Sequence, residues 1–380
     1  MKTFLGVGLG PIQTGIFLSG AHRGGMDRLV IADVDAELIH AVRAAGGVIT
    51  INIAGAGAVT SETISGIEIY NPSVPEDRQK LIDAAAAAGE TATALPSIAF
   101  FKYLDWMKEG FLKQPERRRF IYTAENHNHA AEELEKITGA FPQTDYLNTV
   151  VGKMSCIFSA DECARRNIVP LTPAADRGHL VEAFDKILIQ SCCDIEQRAV
   201  KGLIEKPELL PFEDAKLYGH NAVHFWLGLH AQRAGAQFMH EIAGDAELLM
   251  KARRAFVDES GKALCRKYAG VDNLFTPAGF TDYADDLLIR MVNPFLTDRI
   301  DRVCRDLERK LSWNDRVIGT MRLIMNQGIK PELFAAGAVL ACKNLFGNDT
   351  IKIRAGLESL WNGWNDDAEN VWQEIKEQLS

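Results

Sequence analysis

The sequence predicts a doubly wound α/β domain followed by a mostly α-helical one. Three observations carry this. Short apolar runs alternate with helical stretches through the first half, a pattern that builds a parallel sheet covered on both faces. From about Asp214 onward, long amphipathic helical patterns replace the strand signals. The chain of 380 residues also exceeds the usual size of one domain, so two are expected. The boundary is placed near residue 195, giving domains 1–195 and 196–380.

The elements follow in order. Thr3–Val7 is a strand ending at a glycine, and Ile12–Leu18 opens a helix. Leu29-Val-Ile-Ala-Asp33 is a second strand, residues 37–45 a second helix, and Val48–Ile53 a third strand. The alanine-rich stretch 84–88 is helical. Phe120–Ala124 is a later strand, followed by a helix over 130–137. In the second half the clearest helical patterns cover 215–232, 247–268, 296–311, 313–327 and 331–346. Pro331 suits a first helical turn, and Gly347-Asn348 suits the exit.

Composition narrows the function classes. Hydrophobic residues make up 47% and charged residues 24%, an ordinary balance for a chain with a buried core. A net charge of −9 argues against binding to a nucleic-acid backbone. No stretch of about 18 apolar residues suggests a membrane span, and no cleavable leader pattern stands at Met1-Lys-Thr-Phe-Leu. Seven cysteines without Cys-x-x-Cys spacing fit a reducing compartment, and a cytoplasmic protein is expected.

Gly8-Leu-Gly10-Pro11-Ile12-Gln13-Thr-Gly15 lies between a strand and a helix. In that context the first glycine permits a tight turn and the second lets the backbone approach a pyrophosphate. The helix N-terminus adds unpaired N–H groups and partial positive charge. Pro11 fits a first turn, where no amide hydrogen is needed. Gln13 stands where a third glycine is usual. Asp33 follows at roughly 20 residues, where a carboxylate accepts ribose hydroxyls and disfavours a 2′-phosphate. Asp35 adds to that bias. The candidate cofactor residues are therefore Gly8, Gly10, Pro11, Ile12, Gln13 and Asp33, and the cofactor is NAD.

The second motif is Lys216-Leu-Tyr-Gly-His220-Asn221-Ala-Val-His224. On a regular α-helix Lys216, Asn221 and His224 fall within a sector of about 140°. Oxidation of a secondary alcohol needs a hydride acceptor, a base for the hydroxyl proton and donors for the oxygen. A lysine serves as that base when burial or neighbouring positive charge lowers its pKa. On the residues alone, a solvated helix face accounts for the same pattern.

The spacing Lys-x4-Asn-x2-His resembles the signature of the polyol-specific long-chain dehydrogenases, the mannitol dehydrogenase family. Ala32-Asp33-Val34 and Ala124-Glu125-Asn126 are similar to further family segments. Asn293-Pro-Phe-Leu296, Arg309-Lys-Leu-Ser312 and Asp315-Arg316 are similar to its mannitol-1-phosphate 5-dehydrogenase branch. The resemblance implies a Rossmann-type domain, then a helical domain, with the active site between them and no metal. It implies Lys216 as general base, Asn126 and Asn221 as amides holding the reacting oxygen, and His224 as a substrate-binding residue. Gly152-Lys153 departs from the family's usual Asp-Arg pair.

The expected reaction is the NAD-dependent interconversion of a polyol, in particular a polyol phosphate such as mannitol 1-phosphate, with its ketose. The alternatives are a hexuronate reductase-like enzyme and a non-catalytic NAD-binding protein. Arg302, Arg305 and Lys310, on one helical stretch with Arg309, are candidate phosphate ligands, although the interleaved acids also fit a salt-laced outer face. His127 and His129, on different sides of a helix, make a poor metal pair. A monomer or homodimer is expected.

Overall fold

Thr3–Val7 is β1, and every one of its residues is buried, as a central parallel strand requires. The computed structural model describes residues 1–379 and divides the chain into two units, Met1–Leu210 and Pro211–Ser380.

In the first unit β1 is followed by α1 (13–23), β2 (Arg28–Ala32) and α2 (Ala36–Ala44). Next come β3 (Ile49–Ala54), β4 (Val59–Ile64), β5 (Ile67–Tyr70) and α3 (Pro75–Ala87). The unit continues with β6 (Ala88–Thr93), α4 (Asp105–Lys113), β7 (Arg119–Thr123) and α5 (Ala130–Thr138). It closes with β8 (Thr144–Val150), β9 (Ser155–Ser159), α6 (Ala160–Arg166), β10 (Arg177–Glu182), β11 (Ile187–Gln190) and β12 (Leu203–Lys206).

Eight strands form the main sheet in the order β12-β11-β8-β7-β6-β1-β2-β5. Its pairings are parallel except for β11 with β8. Successive residues of β1 feed opposite faces: Phe4 joins a core with Ile31 and Phe17, Leu5 one with Val30 and Trp106. That alternation is the period-two geometry of a strand covered on both sides.

The third expected strand is β3, but it lies outside the main sheet. It pairs antiparallel with β4 across the Gly55-Ala-Gly57 turn, and parallel with β10, in a four-stranded sheet ordered β4-β3-β10-β9. Buried Asn52 fixes it there by donating to the carbonyls of Val169 (2.8 Å) and His179 (3.0 Å) and accepting from Val169 N (2.9 Å). Strand pairing also continues past residue 195, because β12 pairs with β11.

The second unit is helical. α7 (210–233) runs through Leu210–Asp214, a π-helical stretch Ala215–Asn221 and Ala222–Arg233. α8 (246–267) likewise contains a π stretch, Ala255–Gly261. α9 (Pro277–Met291), α10 (Ile300–Cys304), α11 (Leu307–Lys310) and α12 (Ile318–Asn326) follow. α13 (Glu332–Phe346), α14 (Thr350–Leu360) and α15 (Asp366–Glu377) complete it. Phe225, Phe256, Phe280 and Trp372 are fully buried in this unit. Trp226 donates from Nε1 to Leu333 O (2.8 Å), tying α7 to the start of α13.

The single helix expected over 296–311 is broken. Arg305 is extended and Asp306 is left-handed, at φ 59°. The four basic residues of that stretch therefore do not share one helical face. No helix among the described residues is long and apolar enough to cross a membrane.

Candidate active site

The first unit holds the glycine turn. Gly8 has φ 82° and donates to Ala32 O at 2.8 Å, which locks the turn to the end of β2. A Cβ there would approach Ala94 O to 3.0 Å in a backbone conformation that side chains rarely adopt. At Gly10 a Cβ would meet nothing within 4 Å. Gly10 therefore borders open space at the N-terminus of α1, where a pyrophosphate would pass close to the backbone.

Asp33 closes the turn from the other side. Its Oδ2 accepts from Leu9 N (2.6 Å) and its Oδ1 from Asp35 N (2.9 Å). Each oxygen keeps acceptor capacity for ribose hydroxyls. Asp35 caps α2 by accepting from Leu38 N (3.1 Å) and pairs with Arg177 at 2.9 Å. The turn, the open flank at Gly10 and the placed carboxylate fit an NAD molecule.

Gln13 differs from the sequence expectation. Its side chain is fully buried, and both amide atoms are without a hydrogen-bond partner. The amide nitrogen occupies the space that a side chain on Gly6 would need, 1.9 Å from a Cβ built there. Only the backbone of Gln13 remains for a nucleotide, together with Pro11 and Ile12 in the first turn. The close helix–strand approach usually given to the third glycine falls to Gly15, whose added Cβ would meet Val181 Cγ1 at 2.5 Å.

Glu125 is buried and accepts from Thr93 Oγ1 and Leu95 N, both at 2.8 Å. Burial pushes its carboxyl up from the ordinary value. It ties the end of β6 to the segment after β7 and leaves Asn126 exposed at the C-terminal edge of the parallel sheet. Ligands of open α/β sheets bind at that edge. Lys153, at the departure from the family pair, is buried beyond β8. It lines a cavity of about 320 Å³ with Gly15, Ser19, Glu62 and Asp185, and burial lowers its amine to about 8.

In the second unit, α7 brings Lys216, Asn221 and His224 together, by a geometry that differs from the expected α-helix. Across the π stretch hydrogen bonds run i→i+5, so Lys216 and Asn221, five apart, lie nearer to one side of the helix than α-helical geometry would put them. His224 lies one α-helical turn beyond Asn221. Gly219 lets this stretch press onto Phe256, whose ring lies 2.9 Å from where a Cβ would stand.

Burial is the largest influence on the Lys216 amine, the positive charge of Arg316 the next, and Glu213 partly opposes both. The amine is lowered to about 8. His220, one turn before His224, is buried and held well below the ordinary imidazole value by burial and the positive groups around it. His224 Nε2 lies 2.9 Å from Asp298 Oδ2. Arg316 is held by Asp315 (Nε–Oδ1 2.9 Å), which also pairs with Arg309 (2.7 Å).

The basic residues expected to bind phosphate have separate surroundings. Arg302 donates to Asp298 Oδ1 from Nε (3.0 Å) and Nη2 (2.6 Å). Arg305 is 68% exposed and lies 3.6 Å from Asp306. Lys310 is buried, and its ammonium donates to Val303 O (2.6 Å) and to Arg305 O, carbonyls at the break between α10 and α11. Sequence reasoning gave no role to Asp298 or Arg316. Asp315-Arg316 stood among the family-like segments, so the signal for Arg316 was present; Asp298 is one of 51 acidic residues and carries no local mark.

The chain is similar to known proteins in sequence and in fold. Residues 208–377 match the family model described as mannitol dehydrogenase C-terminal domain. A mannitol-1-phosphate 5-dehydrogenase of Brevibacillus brevis is 30% identical over 207 residues, 53% of this chain and 52% of that protein. One from Halalkalibacterium halodurans is 28% identical over 142 residues, 37% and 36% of the two chains. One from Exiguobacterium sibiricum is 26% identical over 340 residues, 88% and 83% of the two chains. The first two matches thus span about half or less of those relatives.

Among solved structures, a substrate-free D-sorbitol dehydrogenase superposes with TM-score 0.76 at 13% identity, covering 100% of this chain and 94% of the other. Pseudomonas fluorescens mannitol 2-dehydrogenase, in complex with NAD and D-mannitol, superposes with TM-score 0.70 at 14% identity, covering 100% and 91%. Residues 208–377 thus resemble the mannitol dehydrogenase C-terminal domain, and the two solved structures share the fold of the chain.

Proposed function

We propose that the protein is an NAD-dependent oxidoreductase that interconverts a polyol, in the leading form a polyol phosphate such as mannitol 1-phosphate, with the corresponding ketose. The observation that carries this is Lys216, a desolvated amine lowered to about 8, on the same helix as Asn221, with His224 one turn beyond that amide. NAD, when bound, supplies the hydride acceptor. Gly8, Gly10, the first turn of α1 and Asp33 hold the nucleotide. Neutral Lys216 takes the hydroxyl proton as the carbinol is oxidised, and protonated Lys216 returns it in ketose reduction. The amides of Asn221 and Asn126 donate to the oxygen as its charge grows, and His224 orients a neighbouring hydroxyl.

Absorbance at the reduced-nicotinamide band across matched free sugars, phosphorylated sugars and sugar acids tests this. Turnover of a polyol or ketose pair is expected, and Lys216→Ala is expected to lower kcat by about 10²- to 10⁴-fold with NADH binding intact. Normal turnover in that variant refutes the base.

Arg316 favours a second reading. Its charge acts on Lys216, and a guanidinium there suits a carboxylate as well as a phosphate. A preference for keto-uronates in the same panel would make the protein a hexuronate reductase. NADH binding without turnover of any member would make it a non-catalytic NAD-binding protein.

A further inference from the structure

We infer that Asp298 is a positioning residue that fixes His224 as an acceptor for a substrate hydroxyl. The inference rests on the proposed role of His224 in substrate binding, and extends it by naming the chemistry that His224 presents.

Asp298 lies just before α10 and is only 4% exposed. Its surroundings hold it on three sides. Its backbone carbonyl accepts from Met239 N at 2.9 Å. Its Oδ1 accepts from Arg302 Nε and Nη2. Its Oδ2 faces His224 Nε2 at 2.9 Å. Burial by itself raises the pKa of this carboxyl, but His224 and Arg302 outweigh burial and hold it below the ordinary value. The group facing Nε2 is therefore an anion, which cannot donate a hydrogen bond.

That fixes the imidazole. In a neutral ring one nitrogen carries the hydrogen, and the partner of the other decides which. The two atoms approach to 2.9 Å without the alignment of a hydrogen bond, but an anion that close repels a lone pair on Nε2, which favours the hydrogen there and the lone pair on Nδ1. Nδ1 makes no hydrogen bond with the protein among the described residues. A lone pair accepts from a hydroxyl and repels a carbonyl, phosphate or carboxylate oxygen. His224 so fixed selects a hydroxyl-bearing carbon at the position it faces, and anionic substrate groups must be held elsewhere.

Two measurements test this. The first is long-range ¹⁵N–¹H NMR on the histidine-labelled full chain with NADH, with the His224 signals assigned by their loss in H224Q. Wild type is expected to show a single Nε2–H tautomer for His224, and Asp298→Ala a mixture. An Nδ1–H tautomer in wild type, or an unchanged spectrum in folded Asp298→Ala, overturns the inference. The second is steady-state kinetics of Asp298→Ala and Asp298→Asn, checked for folding by their thermal transitions. KM for the hydroxylated substrate should rise roughly tenfold to a hundredfold in Asp298→Ala. The rise should be smaller in Asp298→Asn, which keeps an acceptor oxygen, with kcat and NADH affinity changing less in both. Equal KM in all three proteins overturns the inference. If no polyol or ketose is turned over at all, the proposed function fails, while the ring-nitrogen signals still decide the role of Asp298.

Discussion

As the proposed general base, Lys216 makes a quantitative demand on pH. Only the neutral amine accepts a proton, so polyol oxidation should rise with pH and level off above about 8, the value to which burial and Arg316 bring it. Ketose reduction uses the protonated amine and should fall across the same interval. The opposed pH profiles of kcat/KM in the two directions check both signs. Replacing Arg316 with Met should move the limb upward, since the charge that helps lower the amine is gone. Gly10 gives a second residue-scale prediction. An added Cβ meets no protein atom, so Gly10→Ala should leave the thermal transition within about 0.5 kcal/mol of wild type. NADH binding, measured by fluorescence titration, should still weaken by tenfold or more (about 1.4 kcal/mol). At this scale, types and spacing singled out Lys216, Asn221, His224, Gly8, Gly10 and Asp33 as candidates, and the structure puts the first three on one helix and the last three at one turn. Asp298 was not legible, because its approach to His224 spans more than seventy positions of sequence. Arg302 and Lys310 were visible as charges, but their partners, Asp298 and the carbonyls of Val303 and Arg305, were not.

Among the elements, close packing and helix caps set the sensitive points. Gly15→Ala should destabilise by about 1–3 kcal/mol through overpacking against the stiff side chain of Val181. Val181→Ala in the same chain should recover most of that in urea unfolding. Glu259 accepts from Leu333 N (2.7 Å) and Phe334 N (3.1 Å) at the start of α13. Burial pushes it up from 4.5 to about 7. Between those two values the native state keeps a proton that the unfolded chain has released. This group therefore favours folding most at low pH and loses that contribution as pH rises through 7, by up to about 1.4 kcal/mol per pH unit. Glu259→Gln should flatten the slope of stability between pH 4.5 and 7 in denaturant titrations. Apolar periodicity marked most of the helices correctly in kind, because their buried faces repeat at helical spacing. It did not mark the π stretches, Gln13–Leu18 at the start of α1 and those of α7 and α8, whose single extra residue per turn leaves the apolar pattern almost unchanged. Nor did it mark the break at Arg305-Asp306, where neither residue is a glycine or proline and the left-handed turn is held by Lys310.

Across the whole molecule, the alternation of strands and helices was enough to predict a parallel sheet giving way to helices. The second sheet was hidden. β3 has the composition of a central strand, and its placement depends on pairing with β10, which lies far along the chain. All the groups expected to hold the nucleotide lie within 1–210, a unit with its own cores. NADH at a hundred times its dissociation constant should therefore stabilise that unit by about 2.7 kcal/mol, read as slowed hydrogen exchange over β1, α1 and β2. Unchanged exchange there would place the nucleotide elsewhere.

The buried amide of Gln13 has a consequence for how this chain can change. Because it fills the hollow beside the bare α-carbon of residue 6, neither position is free to vary alone. A methyl group at 6 collides with the glutamine, and a glycine at 13 leaves a void against the sheet. The two sites form a single lock-step pair, so a lineage reaching the commoner three-glycine turn from this one must alter both together or pass through an unstable intermediate.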